Sequence, residues 1–179
     1  MFNEPKIINR KLAYKGKAFD IYKYSVQIEG RELKRDIIER AHGVVVVPID
    51  INHEVLLISE YCAGSNSFIL SLPGGSIEDI NNIENEALRE LREETGYTAK
   101  KIAKLHYAYG HPSTSTRRSY CFLGYDLEWK PLSSTEEIIQ VVKIPLQEAI
   151  VRVYKDFESD VSTIGNLLMA RDKLTELNW

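Results

Sequence analysis

Apolar and polar residues alternate through residues 7–40, most clearly in Phe19-Asp20-Ile21-Tyr22 and Val26-Gln27-Ile28. A two-residue period sets one face of a strand against a core. Gly30, following Glu29, marks a turn, so the segment predicts an antiparallel hairpin with Leu33 to Glu39 as its return strand. The run from Gly43 to Ile49 is continuously apolar and mostly β-branched, as in a strand buried on both faces. Asp50 to His53 then turns the chain, Glu54 to Tyr61 predicts the next strand, Ala63 to Ser67 a loop, and Phe68 to Leu72 a short strand.

The period then changes from two to helical. Leu72-Pro73-Gly74-Gly75 is a turn signal, because proline fixes one dihedral and glycine tolerates a close backbone approach. Beyond a polar loop, Ile83, Ala87, Leu88 and Leu91 form one stripe at helical spacing, Glu86, Glu90, Glu93 and Glu94 lie on the adjoining face, and Gly96 supplies the stop. Lys101 to Tyr109 and Ser119 to Leu127 predict strands around the polar loop 110–118. A second polar loop over 129–137 leads into a strand from Ile138 to Ile144, and Pro145 is placed to open a helix. Asp160 or Ser162 can cap a last helix that turns Ile164, Leu167, Leu168, Leu174 and Leu177 to a core. Many strands with helices in mid-chain and at the end predict an α/β (α+β) fold, a mixed sheet sandwiched between helices.

Electrostatics makes the mid-chain helix unusual. Carboxylates three and four residues apart repel by roughly 0.2–0.5 kcal/mol per pair. One reading is a solvated acidic face, partly neutralised by Arg89, which reaches Glu86 and Glu93 at helical spacing. The other is that Mg²⁺ or Mn²⁺ supplies the counter-charge, with hard oxygens from the glutamates and a backbone carbonyl from the glycine turn as ligands.

At 179 residues the chain is expected to form one domain. A net charge of −3 argues against a generic nucleic-acid binder. Cys62 and Cys121 form no C-x-x-C pair and sit among apolar or aromatic neighbours, which fits buried thiols in a reducing compartment. No apolar leader follows Met1, and no run approaches bilayer length. The expectation is a soluble cytoplasmic protein with neither nucleic acid nor membrane as partner.

From Gly75 to Tyr97 the residues resemble the Nudix signature, G-x5-E-x7-R-E-U-x-E-E-x-G-U with U apolar. Gly75, Arg89, Glu90, Leu91, Glu93, Glu94 and Gly96 all fall at its spacing, with Tyr97 in the final apolar place. The isolated glutamate of the motif falls on Asn81, and the glycine before it on Ile80. In the family that glutamate pairs with the motif arginine and orders the loop, a role for which Asn81 has no carboxylate. The flanks resemble the ADP-ribose pyrophosphatase-like, or nucleoside diphosphate sugar hydrolase, branch in the N-terminal hairpin, the strand over 43–48, Pro112 beyond the box and the segment 137–146. They depart from it at Glu60-Tyr61-Cys62, at Ser113 and at Arg117, all around the substrate.

The resemblance implies Mg²⁺-dependent hydrolysis of a nucleoside diphosphate derivative, ADP-ribose or a nucleotide sugar first. The Gly74 carbonyl, Glu90 and Glu94 become the metal ligands, Glu93 shares a second ion or orients water, and Arg89 holds the helix carboxylates in register. The general base is Glu137, or less favourably Glu136, with Glu93 as competitor. Phe19 and Tyr22 are candidates to stack on the base, though each equally suits a core. Arg40 and Arg117 or Arg118 are candidates for the diphosphate or terminal ribose, while His111 reads as a locally bonded loop residue. The branch forms homodimers through its N-terminal strands, a role for residues 1–40, with 41–179 as the catalytic core. The alternatives are a pyrophosphatase of NADH or diadenosine polyphosphates, and a catalytically weak nucleotide-sensing module.

Overall fold

The computed structural model describes residues 4–133, 140–155 and 159–179. They fall into two compact units. One ends at His42 and takes in Ala108–Ser119; the other comprises Gly43–Tyr107 and Tyr120–Trp179.

In the first unit, β1 (Lys6–Lys15), β2 (Asp20–Ile28) and β3 (Arg31–Glu39) form an antiparallel sheet in that order. The expected hairpin is β2–β3, paired without a slip from Asp20 opposite Glu39 to Ile28 opposite Arg31. Glu29 and Gly30 close it at φ 48° and 75°, the positive pair that a two-residue type I′ turn requires. Residues 6–15, at the start of the segment read as one hairpin, form a third strand of their own. Its register shifts between Ile7 and Asn9 and between Leu12 and Tyr14, and every one of its residues is exposed, so no single face is marked by burial. Across this sheet the Arg10 guanidinium lies 3.5 Å from the Tyr22 ring centroid and its Nε donates to Glu39 at 2.7 Å.

The second unit is built on β4 (Gly43–Ile49), β5 (Glu54–Cys62), β6 (Ser67–Ser71), β7 (Gly74–Ser76), α1 (Ile83–Thr95), β8 (Tyr97–Tyr109), β9 (Arg118–Trp129), β10 (Gln140–Pro145), α2 (Leu146–Lys155) and α3 (Val161–Glu176). The sheet runs β10-β5-β4-β9-β8, with β6 on β5 and β7 on β4. Strand β4 is apolar along its length because both of its faces are covered. Val47 and Ile49 pack with Leu57, Leu123, Ala149, Leu167 and Leu174 beneath α2 and α3. Val44 and Val46 pack with Ile77, Ala87, Leu91, Ala99 and Phe122 beneath α1. Burying a leucine is worth roughly 1.5–3 kcal/mol, so Leu91, with none of its surface exposed, outweighs the carboxylate repulsion on the helix.

Several boundaries differ from expectation. The glycine turn is itself a short strand, with Gly74 opposite Val45 and Gly75 opposite Val44. β8 starts at Tyr97, immediately after the helix stop. Pro145 ends β10 opposite Glu54, and α2 opens one residue later. Asp160 caps α3 by accepting the Thr163 N–H, while Leu177 is the exposed C-cap, outside the core stripe. No helix among the described residues is long and apolar enough to cross a membrane. Both cysteines are free, and burial pushes the Cys121 thiol up to about 12.

Gly96 joins α1 to β8 at φ 75°, and a Cβ there would lie 2.7 Å from the Trp129 ring. Left-handed backbone costs a non-glycine residue about 1–2 kcal/mol. Gly96→Ala is therefore expected to destabilise the protein by at least about that amount, read as a lowered urea midpoint at unchanged m-value.

Candidate active site

The site is assembled where β7 passes α1. β7 can lie against the helix because it carries no side chains at its first two positions. A Cβ on Gly74 would run into the Val44 carbonyl, and one on Gly75 into the carboxyl of Glu90. The motif glycine is thus required by a carboxylate fifteen residues on, held directly over its backbone. The Gly74 N–H donates to Glu94 at 2.8 Å. Glu90 and Glu94, one helical turn apart, therefore both reach the same two-glycine segment.

Arg89 organises the rest. Its Nη1 donates to Glu93 at 2.8 Å, and its Nη2 is shared by Glu86 at 2.9 Å, Glu90 at 2.8 Å and the Ser76 carbonyl at 3.2 Å. The pairings with Glu86 and Glu93 are those the helical spacing anticipates; that with adjacent Glu90 is not. Among the described residues, Arg89 Nε is the one buried side-chain nitrogen or oxygen without a hydrogen-bond partner.

The carboxylates differ electrically. Glu86, 9% exposed, is held below the ordinary carboxylate range, first by the backbone N–H of Glu78 and then by Arg89. Glu90, equally enclosed at 9%, is pushed up by burial more than Arg89 pulls it down. Burial opposes the charge on Arg89, yet its hydrogen bond to Glu86 and the charges of Glu90 and Glu93 raise its pKa. Glu93 is exposed. A buried carboxylate that resists ionisation gains most from a nearby cation.

Among the described residues, no three His, Cys, Asp or Glu side chains form a ready-made metal cluster. The oxygens instead face a guanidinium. The donor set nonetheless fits a hard divalent cation: Glu90 and Glu94 one turn apart, Glu93 beside Glu94, and a half-buried glycine pair next to them. Glu94 lies against Gly74 and Glu90 over Gly75, and Arg89 bonds both Glu90 and Glu93. Glu136 and Glu137, the expected loop bases, lie outside the described residues.

Phe19, Arg40, Arg117 and Arg118 belong to the other unit. Phe19 is 40% exposed, outside any core, and Arg40 is exposed at the end of β3. Arg117 Nη1 donates to the Ala41 carbonyl at 3.1 Å, and Arg118 Nε to the Tyr109 hydroxyl at 2.8 Å. The His111 carbonyl accepts from the Thr114 and Ser115 N–H groups, the local bonding expected of that loop. In the second unit, Glu60 accepts the Ser71 hydroxyl at 3.1 Å. A cavity of about 330 Å³ opens at the N-terminal end of α1, lined in part by Ile80, Asn81, Lys104 and Tyr120.

The loop contact of Glu86 has no precursor in the sequence reading. Its partner is a backbone N–H whose position depends on how β7 docks, so helical spacing alone does not reveal it.

A family model described as NUDIX domain matches residues 39–163. The chain is 30% identical over 151 residues to ADP-ribose pyrophosphatase of Bacillus subtilis (strain 168), covering 82% of each protein. It is 26% identical over 177 residues to ADP compounds hydrolase NudE of Escherichia coli (strain K12), covering 96% of this chain and 94% of that one. A crystal structure of an ADP compounds hydrolase matches with a TM-score of 0.87 at 23% identity, over 99% of this chain and 97% of that one, and shares its fold.

Arg89→Lys retains the charge but cannot hold three carboxylates and a carbonyl in one plane. Loss of such a supporting contact costs about 10–100-fold in metal affinity or turnover. Manganese titration by calorimetry is expected to show the weakened binding, with the helix content by circular dichroism preserved.

Proposed function

The chain belongs to the Nudix family and is a pyrophosphohydrolase, and we propose that it hydrolyses the diphosphate of ADP-ribose or a nucleotide sugar with Mg²⁺ or Mn²⁺ bound. Water adds at one phosphorus of the P–O–P bridge, the bridging P–O bond breaks, and the products are a nucleoside monophosphate and a sugar phosphate; from ADP-ribose, AMP and ribose 5-phosphate. The observation that carries this reading is the placement of Glu90 and Glu94 against Gly74 and Gly75, with Arg89 holding Glu86, Glu90 and Glu93. The relatives named ADP-ribose pyrophosphatase and ADP compounds hydrolase support the choice of substrate class.

A diphosphate repels nucleophiles with its own negative charge. Glu90, Glu94 and the Gly74 carbonyl would hold a divalent cation, which would supply Lewis acidity to the diphosphate and an activated water. The protein's part is to keep those oxygens fixed before substrate arrives. Gly75 removes the Cβ that would displace Glu90, Gly74 orients Glu94, and Arg89 cancels the repulsion that would splay the carboxylates. Glu93, exposed and bonded to Arg89 Nη1 at 2.8 Å, would share a second ion or orient water. Arg40, Arg117 and Arg118 remain the candidates for the diphosphate or terminal ribose, and Phe19 for the base, on the strength of the sequence resemblance alone.

The N-terminal strands are proposed to pair two copies of the chain. β1 lies at a sheet edge and exposes Ile7, Ile8 and Leu12, the kind of surface that joins another strand. Light scattering is expected to give the mass of a dimer; a monomer would refute the pairing.

Incubation with ADP-ribose, nucleotide sugars, NADH and diadenosine polyphosphates, each with and without Mg²⁺, tests the reaction. Metal-dependent release of AMP from ADP-ribose, or of the matching monophosphate from a nucleotide sugar, is the expected result. Preference for the dinucleotides would move the substrate to that class, and no monophosphate from any compound would sink the hydrolase reading. Glu94→Gln, which keeps an oxygen to accept the Gly74 N–H, is expected to abolish turnover while the melting temperature stays close to that of the parent.

A further inference from the structure

We infer that Glu86 is a positioning residue that replaces, from within the helix, the carboxylate for which position 81 is vacant. The inference rests on the hydrolase reading above for its kinetic test, and on geometry for its origin.

Asn81 does not approach Arg89 in any hydrogen bond described. Its N–H and its side-chain amide both donate to Asp79 Oδ1, at 2.9 and 3.2 Å, so it serves its own turn. Glu86 binds across the gap. One of its oxygens, Oε2, accepts both the Glu78 N–H at 3.0 Å and Arg89 Nη2 at 2.9 Å. A carboxylate that bonds the loop backbone and the arginine together ties the loop to the helix.

Nη2 has two hydrogens and serves three oxygens, while Nε, buried, has no hydrogen-bond partner among the described residues. A buried donor left bare costs about 1–3 kcal/mol, so the arginine is held by its terminal nitrogens alone. Helical spacing puts Glu86 one turn before Arg89 and on its side of α1. From there it meets the terminal nitrogen. The loop is thereby held through the Glu78 backbone N–H and Arg89 Nη2.

Glu86 touches neither Gly74 nor Gly75 in the bonds described, so its effect passes through Arg89 and the loop. Removing it frees Arg89 to shift on Glu90 and Glu93, and releases the Glu78 N–H.

The test compares the parent, Glu86→Ala, Glu86→Gln and the double variant Asn81→Glu with Glu86→Ala. Two quantities are read: kcat and KM on whichever compound of the panel the parent turns over, at saturating Mg²⁺, and hydrogen exchange of the Glu78 amide without metal. Glu86→Ala is expected to lower kcat by about 10–100-fold, as for other groups that support a metal ligand, with KM little changed and Glu78 exchange accelerated. Glu86→Gln keeps an acceptor for the Glu78 N–H and loses the charge facing Arg89, so protection is expected to persist while kcat falls. The double variant is expected to recover most of kcat. Parent-like kcat in Glu86→Ala, or a double variant no faster than Glu86→Ala, overturns the inference. A parent with no turnover counts against the hydrolase reading, and Glu78 exchange then decides this one: acceleration in Glu86→Ala sustains it, parent-like protection overturns it.

Discussion

One guanidinium facing three carboxylates on a single helix is the constraint on which the site depends. Glu86, Glu90 and Glu93 would each repel the others, and burial raises the cost of charging Glu90. Arg89 lies at the centre of the set and offsets part of that cost. Ion pairs this enclosed repay the desolvation of their charges only in part. The cluster matters less for fold stability, therefore, than for keeping acidic oxygens close together.

The hydrophobic layers make that arrangement rigid. Ala87 and Leu91, fully buried against Val44 and Val46, fix the rotation of α1 on the sheet. Rotation decides which face carries Glu90 and Glu94, and the pairing of β7 with β4 brings Gly74 and Gly75 beneath them. Packing sets the geometry, and charge then uses it. The same sheet carries α2 and α3 on its other face, so β4, apolar at nearly every position, is the layer both cores share.

Much of this was legible along the chain because its causes are local. The helical period, the stripe of Ile83, Ala87, Leu88 and Leu91, the stop at Gly96 and the reach of Arg89 to Glu86 and Glu93 follow from 3.6 residues per turn. The motif spacing named the family and proposed the ligands. β1 was not separable from the hairpin, since an exposed strand with two register shifts has no buried face to impose alternation. Gly74 to Ser76 read as a turn because three residues show no period; they form a strand only because β4 is there to pair with them.

By itself the sequence determined the elements, the carboxylates and their arginine, because helical and strand periods and glycine conformations act over a few residues. Tertiary structure alone decided that Gly75 lies under Glu90, that the Gly74 N–H serves Glu94, and that Glu86 takes the loop N–H of Glu78 while Arg89 Nε is left bare. Each of those contacts joins a loop or short strand to a helix. Their geometry is set by how α1 and β7 pack on β4, a long-range outcome that no local spacing encodes.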